Sequence, residues 1–88
     1  MLSDSEKTSI FLQLIFQHQQ LAIMGLGLLE NPMTNTKDVN LEYARTAIDT
    51  VLVLKEKTKG NLTAYEEEFV NSVISQLQLK YVEVSKEA

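Results

Sequence analysis

The chain of 88 residues has no cysteine, which excludes two common ways of stabilising a small fold. Without cysteine there are no disulfides and no thiolate ligands for a structural metal. A chain of this length forms one domain with a small core, so it needs stability from some other source. Self-association is one such source, because it buries further apolar surface. The composition therefore favours an oligomer.

Basic residues are also in short supply. Eight Lys and Arg stand against twelve Asp and Glu, which gives a net charge of −4. Nucleic acid and anionic lipid both need a basic face on the protein, so this charge argues against either as a partner. The first residues also lack the basic region of a signal peptide, which predicts a cytoplasmic protein.

Loop-forming residues are few, since the chain contains only three glycines and one proline. No segment alternates long enough to predict a strand, and apolar residues recur at helical spacing instead. The most unusual segment is residues 10–29, twenty residues without a charge. It has the length of a membrane span, but the polar run Gln17–Gln20 lies at its centre and basic flanks are missing. We therefore predict a core helix and no membrane span.

The first helix is predicted to cover residues 4–30. Ser3 and Glu6 fit a capping box that begins a helix at Asp4. Pro32 keeps Asn31 out of the helical region, which places the end of the helix just before it. A straight helix of this length extends roughly 40 Å, longer than the two that follow. A bend at Gly25 or Gly27 is one alternative, and the close approach of a neighbouring helix at these glycines is another.

Two further helices are predicted, at about residues 41–58 and 64–83. Asn40 is placed to cap the second helix. Thr63 and Glu66 form a capping box for the third, and Gly60 suits the left-handed conformation that follows a helix end. Since a connection this short makes the two helices antiparallel neighbours, we predict an all-α fold. In this fold a long N-terminal helix packs against an antiparallel hairpin, and dimerisation completes the core.

The first helix carries an apolar arc that is too wide for two helices to cover. Gln13, Gln17 and Gln20 lie on one narrow stripe, and apolar side chains occupy most of the remaining circumference. An ordinary surface helix has an apolar stripe only a little over about 100° wide. The uncovered part predicts a homodimer interface, because exposed apolar patches usually mark interfaces. The candidate interface residues are Phe11, Ile15, Phe16, Ala22, Ile23, Leu26 and Leu29.

Residues that could perform chemistry are scarce. His18 is the only histidine, and there is no cysteine to pair with it. Three consecutive acids, Glu66–Glu68, cannot converge on one metal ion, because adjacent helical side chains point in different directions. We predict no catalytic, metal-binding or cofactor-binding residue, and hence no enzyme. The predicted function is a self-associating protein-interaction or scaffolding module. The alternative is a small-molecule-binding helical domain with a pocket near Gln13, Gln17 and His18.

Several short segments form a recognisable pattern: Asn31 and Pro32; Asn40, Leu41, Ala44, Ile48 and Asp49; the string Glu56–Thr63, of which Lys57–Thr63 is the specific part; and Leu77–Val82. With these residues the chain resembles the bacterial DUF1844 family of small helical proteins of unknown function, over most of its length. At two positions it departs from the family pattern: Asn35 stands where a loop glycine is expected, and Gln78 where arginine is usual. The resemblance implies a bacterial, cytosolic, all-helical domain and transfers no catalytic or binding residue.

Overall fold

The computed structural model describes residues 1–87, which fold into three α-helices. These are α1 (Asp4–Gly25), α2 (Leu41–Lys57) and α3 (Ala64–Glu87). Helix α1 packs against both α2 and α3, and α2 packs against α3. No strand occurs within the described residues, where only two isolated bridges pair extended backbone. The predicted all-α, three-helix class is confirmed, while completion of the fold by dimerisation stays a prediction.

Helices α1 and α2 begin at the predicted caps. The N–H of Ser3 donates to the Glu6 carboxylate at 2.9 Å, and the N–H of Glu6 donates to the Ser3 hydroxyl at 3.1 Å. Hydrogen bonds from the backbone N–H of Ser3, and then from its hydroxyl, hold the pKa of Glu6 below its usual range. At the second helix, the side chain of Asn40 accepts from the N–H of Tyr43 at 3.0 Å. Each cap satisfies donors that a helix start would otherwise leave unpaired.

The start of α3 has the shortest capping hydrogen bond of the three helix starts. The N–H of Thr63 donates to the Glu66 carboxylate at 2.7 Å, and the N–H of Glu66 donates to the Thr63 hydroxyl at 3.1 Å. Glu66 is buried, with 7% of its surface exposed. Its pKa is lowered by the backbone N–H of Thr63 and then by the hydroxyl of Thr8, against an opposing effect of burial. This carboxylate therefore caps the start of α3 and lies near Thr8 in the first turns of α1.

The core lies along the shared axis of the three helices. Ile15 in α1, Val51 in α2 and Leu77 in α3 are each fully buried. Burying one such side chain contributes about 1.5–3 kcal/mol, so a few central residues provide much of the stability of a small domain. The full core cluster consists of Ile15, Ala22, Ala47, Ile48, Val51, Val70, Val73, Ile74 and Leu77.

The end of α1 differs from the prediction. The helix ends at Gly25 and not at residue 30. The N–H of Leu28 donates to the carbonyl of Ile23 at 3.1 Å, and the N–H of Gly27 to that of Met24 at 3.0 Å. Gly27 has a φ of 76°. This is the Schellman arrangement with glycine at its left-handed position, and it ends the helix five residues before the predicted end at residue 30.

The other two helix ends lie one residue earlier and four residues later than predicted. Helix α2 ends at Lys57, one residue before the predicted end, and Gly60 takes the predicted left-handed conformation with a φ of 84°. Helix α3 continues to Glu87, beyond the predicted end at residue 83. No glycine or proline follows residue 83, so nothing in the local sequence stops the helix there. With 24 residues against 22, α3 is longer than α1.

Candidate functional site

A groove of about 660 Å³ lies between the C-terminal half of α1, the loop that follows it and the first turn of α2. Apolar side chains form most of its wall, which is the composition expected of a site that binds an apolar group. Side-chain amides of glutamine and asparagine supply hydrogen-bonding groups. The lining consists of Gln20, Leu21, Met24, Gly25, Leu29, Glu30, Asn31, Pro32, Met33, Asp38, Asn40 and Tyr43.

The floor of the groove is a close contact between the end of α1 and the start of α2. A Cβ added at Gly25 would lie 2.8 Å from the backbone N of Ala44 and 3.0 Å from its Cα. The N–H of Asn40 donates to the carbonyl of Gly25 at 2.7 Å. The two backbones are therefore in direct contact, and only glycine fits here. One of the two alternatives considered for the glycines, the close approach of a neighbouring helix, is confirmed at Gly25.

One wall of the groove belongs to a compact turn at residues 31–36. The Asn31 carboxamide accepts from the N–H of Met33 at 2.8 Å, and the N–H of Asn31 donates to the carbonyl of Thr36 at 2.8 Å. Asn35 closes the turn with a φ of 57°, a conformation that favours glycine or asparagine. The turn holds Met33 outward, with 89% of its surface exposed. The left-handed backbone at position 35 thus explains why a glycine is expected there and why asparagine can take its place.

The charge of the groove is negative. Glu30 and Asp38 are its charged members, and no basic residue occurs among the described residues that line it. The hydroxyl of Thr36 donates to the Asp38 carboxylate, which fixes that side chain relative to the turn. A group that fills the groove would therefore combine an apolar body with a positive charge.

Part of the apolar surface of α1 that remains exposed runs toward this groove. Ile10 is 53% exposed and Leu14 is 36% exposed. Leu21, which lines the groove, lies on the same face, because residues four and eleven apart along a helix are close in direction. Gln17 is exposed between them. Together they form a narrow apolar strip, with one polar interruption, that ends in the groove.

The predicted interface residues are divided between the core and the surface. Ile15, Ala22 and Leu26 are almost completely inaccessible within the protomer, so these three cannot form a surface that a second molecule touches. Helices α2 and α3 cover more of the apolar arc of α1 than the helical wheel indicated. Phe11 and Ile23 are half-buried and pack against the core, whereas Phe16 and Leu29 are exposed at 51% and 39%.

The residues of the alternative small-molecule pocket are not among those that line the groove. Gln13 and Gln17 are exposed, and His18 is half-buried. The Nδ1 of His18 lies 2.9 Å from the carbonyl oxygen of Leu14 in the same helix. One ring nitrogen of the single histidine is thereby occupied by its own backbone.

Sequence reasoning missed several groove residues, chiefly Met24, Met33 and Tyr43. Met24 falls inside the predicted first helix, Met33 in the segment between the first two predicted helices, and Tyr43 in the predicted second helix, and none of the three was singled out. The signal that could have found them is Gly27. A glycine at this point, followed by leucine, fits a helix end as well as it fits a bend. Ending the helix there directs the next five residues away from its axis and opens the groove.

Residues 1–87 bear on two further classes of site, metal centres and membrane spans. No group of three or more His, Cys, Asp or Glu side chains in that range is arranged to hold a metal ion. In the same range, no helix combines the length and the apolar character needed to cross a bilayer.

The fold and the groove define a class: a small three-helix bundle with an open, acidic, apolar groove beside its first interhelical loop. A family model described as a domain of unknown function, DUF1844, matches residues 8–83. The chain belongs to this family. No curated protein and no solved structure matches the chain at a significant level.

Proposed function

We propose that this protein is a small, non-catalytic interaction module that acts as a self-associated assembly, with a dimer as the first choice. The observation that carries the proposal is the exposed apolar strip of α1. Ile10 and Leu14 stay accessible after α2 and α3 have packed. Leaving such side chains in water forfeits about 25 cal/mol for each Å² of apolar surface, which a partner would recover.

The size of the chain supports the same proposal. A domain of fewer than about 100 residues buries a smaller fraction of its surface than larger domains do, and it has no disulfide to compensate. The net charge of −4 leaves a protein or a second copy as the partner class that best fits. The scaffolding role follows from the assembly, since a two-fold dimer would present each of its remaining exposed surfaces twice to further partners.

Sedimentation equilibrium across the micromolar range tests the proposal directly. We expect a concentration-dependent mass that reaches twice the mass of the chain. A mass equal to that of one chain at every concentration would contradict self-association. Light scattering on the same samples would detect higher assemblies and would distinguish a dimer from an open-ended oligomer.

A further inference from the structure

Six residues of α1 recur at alternating steps of three and four along one face of the helix. This spacing places side chains on a stripe that packs against another helix in coiled coils. Ile10 and Leu14 are exposed, Gln17 is exposed, and Leu21 and Met24 are half-buried walls of the groove. Helices α2 and α3 leave the Ile10, Leu14 and Gln17 part of this face exposed. The stripe, named here the α1 seam, consists of Lys7, Ile10, Leu14, Gln17, Leu21 and Met24.

We propose that the α1 seam binds the same seam of a second copy of this chain, in antiparallel orientation about a two-fold axis. This inference rests on the proposed self-association and adds its surface, its orientation and the occupant of the groove. In such an isologous contact each residue pair occurs twice. The N-terminal turns of α1 from each protomer then lie in the groove of the other.

The lack of charge on this face makes it the surface where two copies of the chain can meet. Two protomers of net charge −4 repel each other over most of their surfaces. The stretch from Ile10 to Met24 contains no charged residue, so two seams approach without burying a charge. A buried and unpaired charge would cost several kcal/mol, and the seam avoids that cost.

Charge also decides the orientation. Lys7 lies at the N-terminal end of the seam, whereas Glu30 and Asp38 line the groove at its C-terminal end. The antiparallel arrangement brings each Lys7 to the acidic groove of the other protomer. The parallel arrangement would place lysine beside lysine and acid beside acid. Complementary charges of this kind select one partner orientation over another.

The apolar residues of the seam match the apolar wall of the groove. Ile10 is the apolar residue next to Lys7 on the seam, and the antiparallel arrangement carries it toward Leu21 and Met24 of the other copy. Gln17 lies near the middle of the seam, close to the two-fold axis. A single polar residue in an apolar seam fixes register and orientation, because any other register leaves its amide without a partner.

The first test compares two exposed apolar residues of similar character. We expect Ile10→Glu to weaken the dimer at least about tenfold, because each change acts twice at a two-fold interface. Leu79→Glu changes a residue of α3 that is 62% exposed and lies outside the seam, and we expect it to leave the dimer intact. Circular dichroism should show that both variants stay helical, since both side chains are already exposed.

The outcomes separate the two proposals. A wild-type chain that is monomeric would overturn self-association and the seam together. A wild-type dimer that Ile10→Glu leaves unchanged would overturn the seam and keep self-association. A dimer that Leu79→Glu disrupts instead would place the interface on α3.

The second test measures orientation. The chain has no cysteine, so Ser5→Cys creates a single site for a spin label just before the seam. In an antiparallel dimer with its axis near the middle of the seam, two such labels lie roughly 40 Å apart, given a rise of 1.5 Å per residue. In a parallel dimer they lie on the outer faces of two adjacent helices, about 20 Å apart, given a helix diameter of about 10–12 Å. A short distance would overturn the antiparallel arrangement.

The third test exchanges the charges. Lys7→Glu and Glu30→Lys should each weaken the dimer at low salt, by up to about fivefold for each exposed pair. The double variant Lys7→Glu with Glu30→Lys should restore the wild-type affinity, because it reverses the pair without changing its complementarity. Two single effects that merely add in the double variant would overturn the contact between Lys7 and the acidic groove.

Discussion

The two connections between helices use glycine for different physical reasons. In the short connection after α2, a Cβ added at Gly60 would meet nothing within 4 Å, so glycine is needed there only for its φ of 84°. At the end of α1, a Cβ on Gly25 would press into the backbone of Ala44, so glycine is needed there for space. The short connection is thus determined by local conformation, whereas the long one is also determined by tertiary contact. Substitution of either glycine should therefore destabilise the fold, but for a different physical reason in each case.

The substitution Gly25→Ala should have the largest effect. The new methyl group would overlap the Ala44 backbone, and overpacking of this kind costs about 1–3 kcal/mol even after small shifts. The higher helix propensity of alanine returns at most about 1 kcal/mol of that loss. We expect a lower urea midpoint with an unchanged slope. An unchanged or higher midpoint would mean that the backbones of α1 and α2 separate without cost.

The substitution Gly60→Ala should have an effect of at most similar size with a different cause. Alanine in the left-handed region costs about 1–2 kcal/mol, and no steric overlap adds to this. Because asparagine tolerates the same conformation, Gly60→Asn should recover part of the loss. Urea unfolding of the three proteins gives the comparison. Equal losses for alanine and asparagine would show that the left-handed conformation is not what requires glycine.

The difference between the connections also explains which parts of the fold the sequence predicts. All three helix starts were predicted correctly, because a cap needs only residues three apart: Ser3 with Glu6, Asn40 with Tyr43, Thr63 with Glu66. The end of α1 was not, since Gly27 is consistent with a bend as well as with an end. The contact between the backbones of Gly25 and Ala44 accompanies the helix end. Because it joins residues that are far apart in sequence, no local pattern reveals it.

The candidate site was less accessible to prediction than the fold. Its position depends on where α1 ends, so an error of five residues hid the groove. The helical wheel identified α1 as the helix with surplus apolar surface. It could not decide which side stays exposed, because that depends on the angles at which α2 and α3 pack. Ile15 and Ala22 therefore lie in the core, and the exposed strip follows Ile10 and Leu14.

Acid should weaken the start of α3 through the titration of Glu66. The lowered pKa of Glu66 means that its carboxylate stabilises the fold at pH values above the pKa of the unfolded chain, about 4.3. That contribution is lost as pH falls through the lowered value in the folded state. Glu66→Gln keeps an acceptor but removes the titration. The stability difference between wild type and this variant should therefore shrink steadily below about pH 5.

Chemical unfolding at a series of pH values measures this difference. A difference that stays constant down to pH 3 would show that the charge of Glu66 contributes nothing to the start of α3. The turn at residues 31–36 offers an internal comparison. The hydrogen bond from the N–H of Met33 to the Asn31 side chain involves no charged group. The protection of the Met33 amide against hydrogen exchange should therefore not change as Glu66 titrates.

The smallest expected effect is at Asn35, the position where a loop glycine was expected. Asn35→Gly relieves the cost of a positive φ in the folded turn, but it also gives the unfolded chain more freedom. These effects oppose each other, so the free energy of unfolding should change by less than about 0.5 kcal/mol. Asn35→Ala lacks both the flexibility of glycine and the local hydrogen bonding of asparagine, and should cost about 1 kcal/mol. A large loss with glycine would show that the asparagine side chain, and not the backbone conformation, closes the wall of the groove.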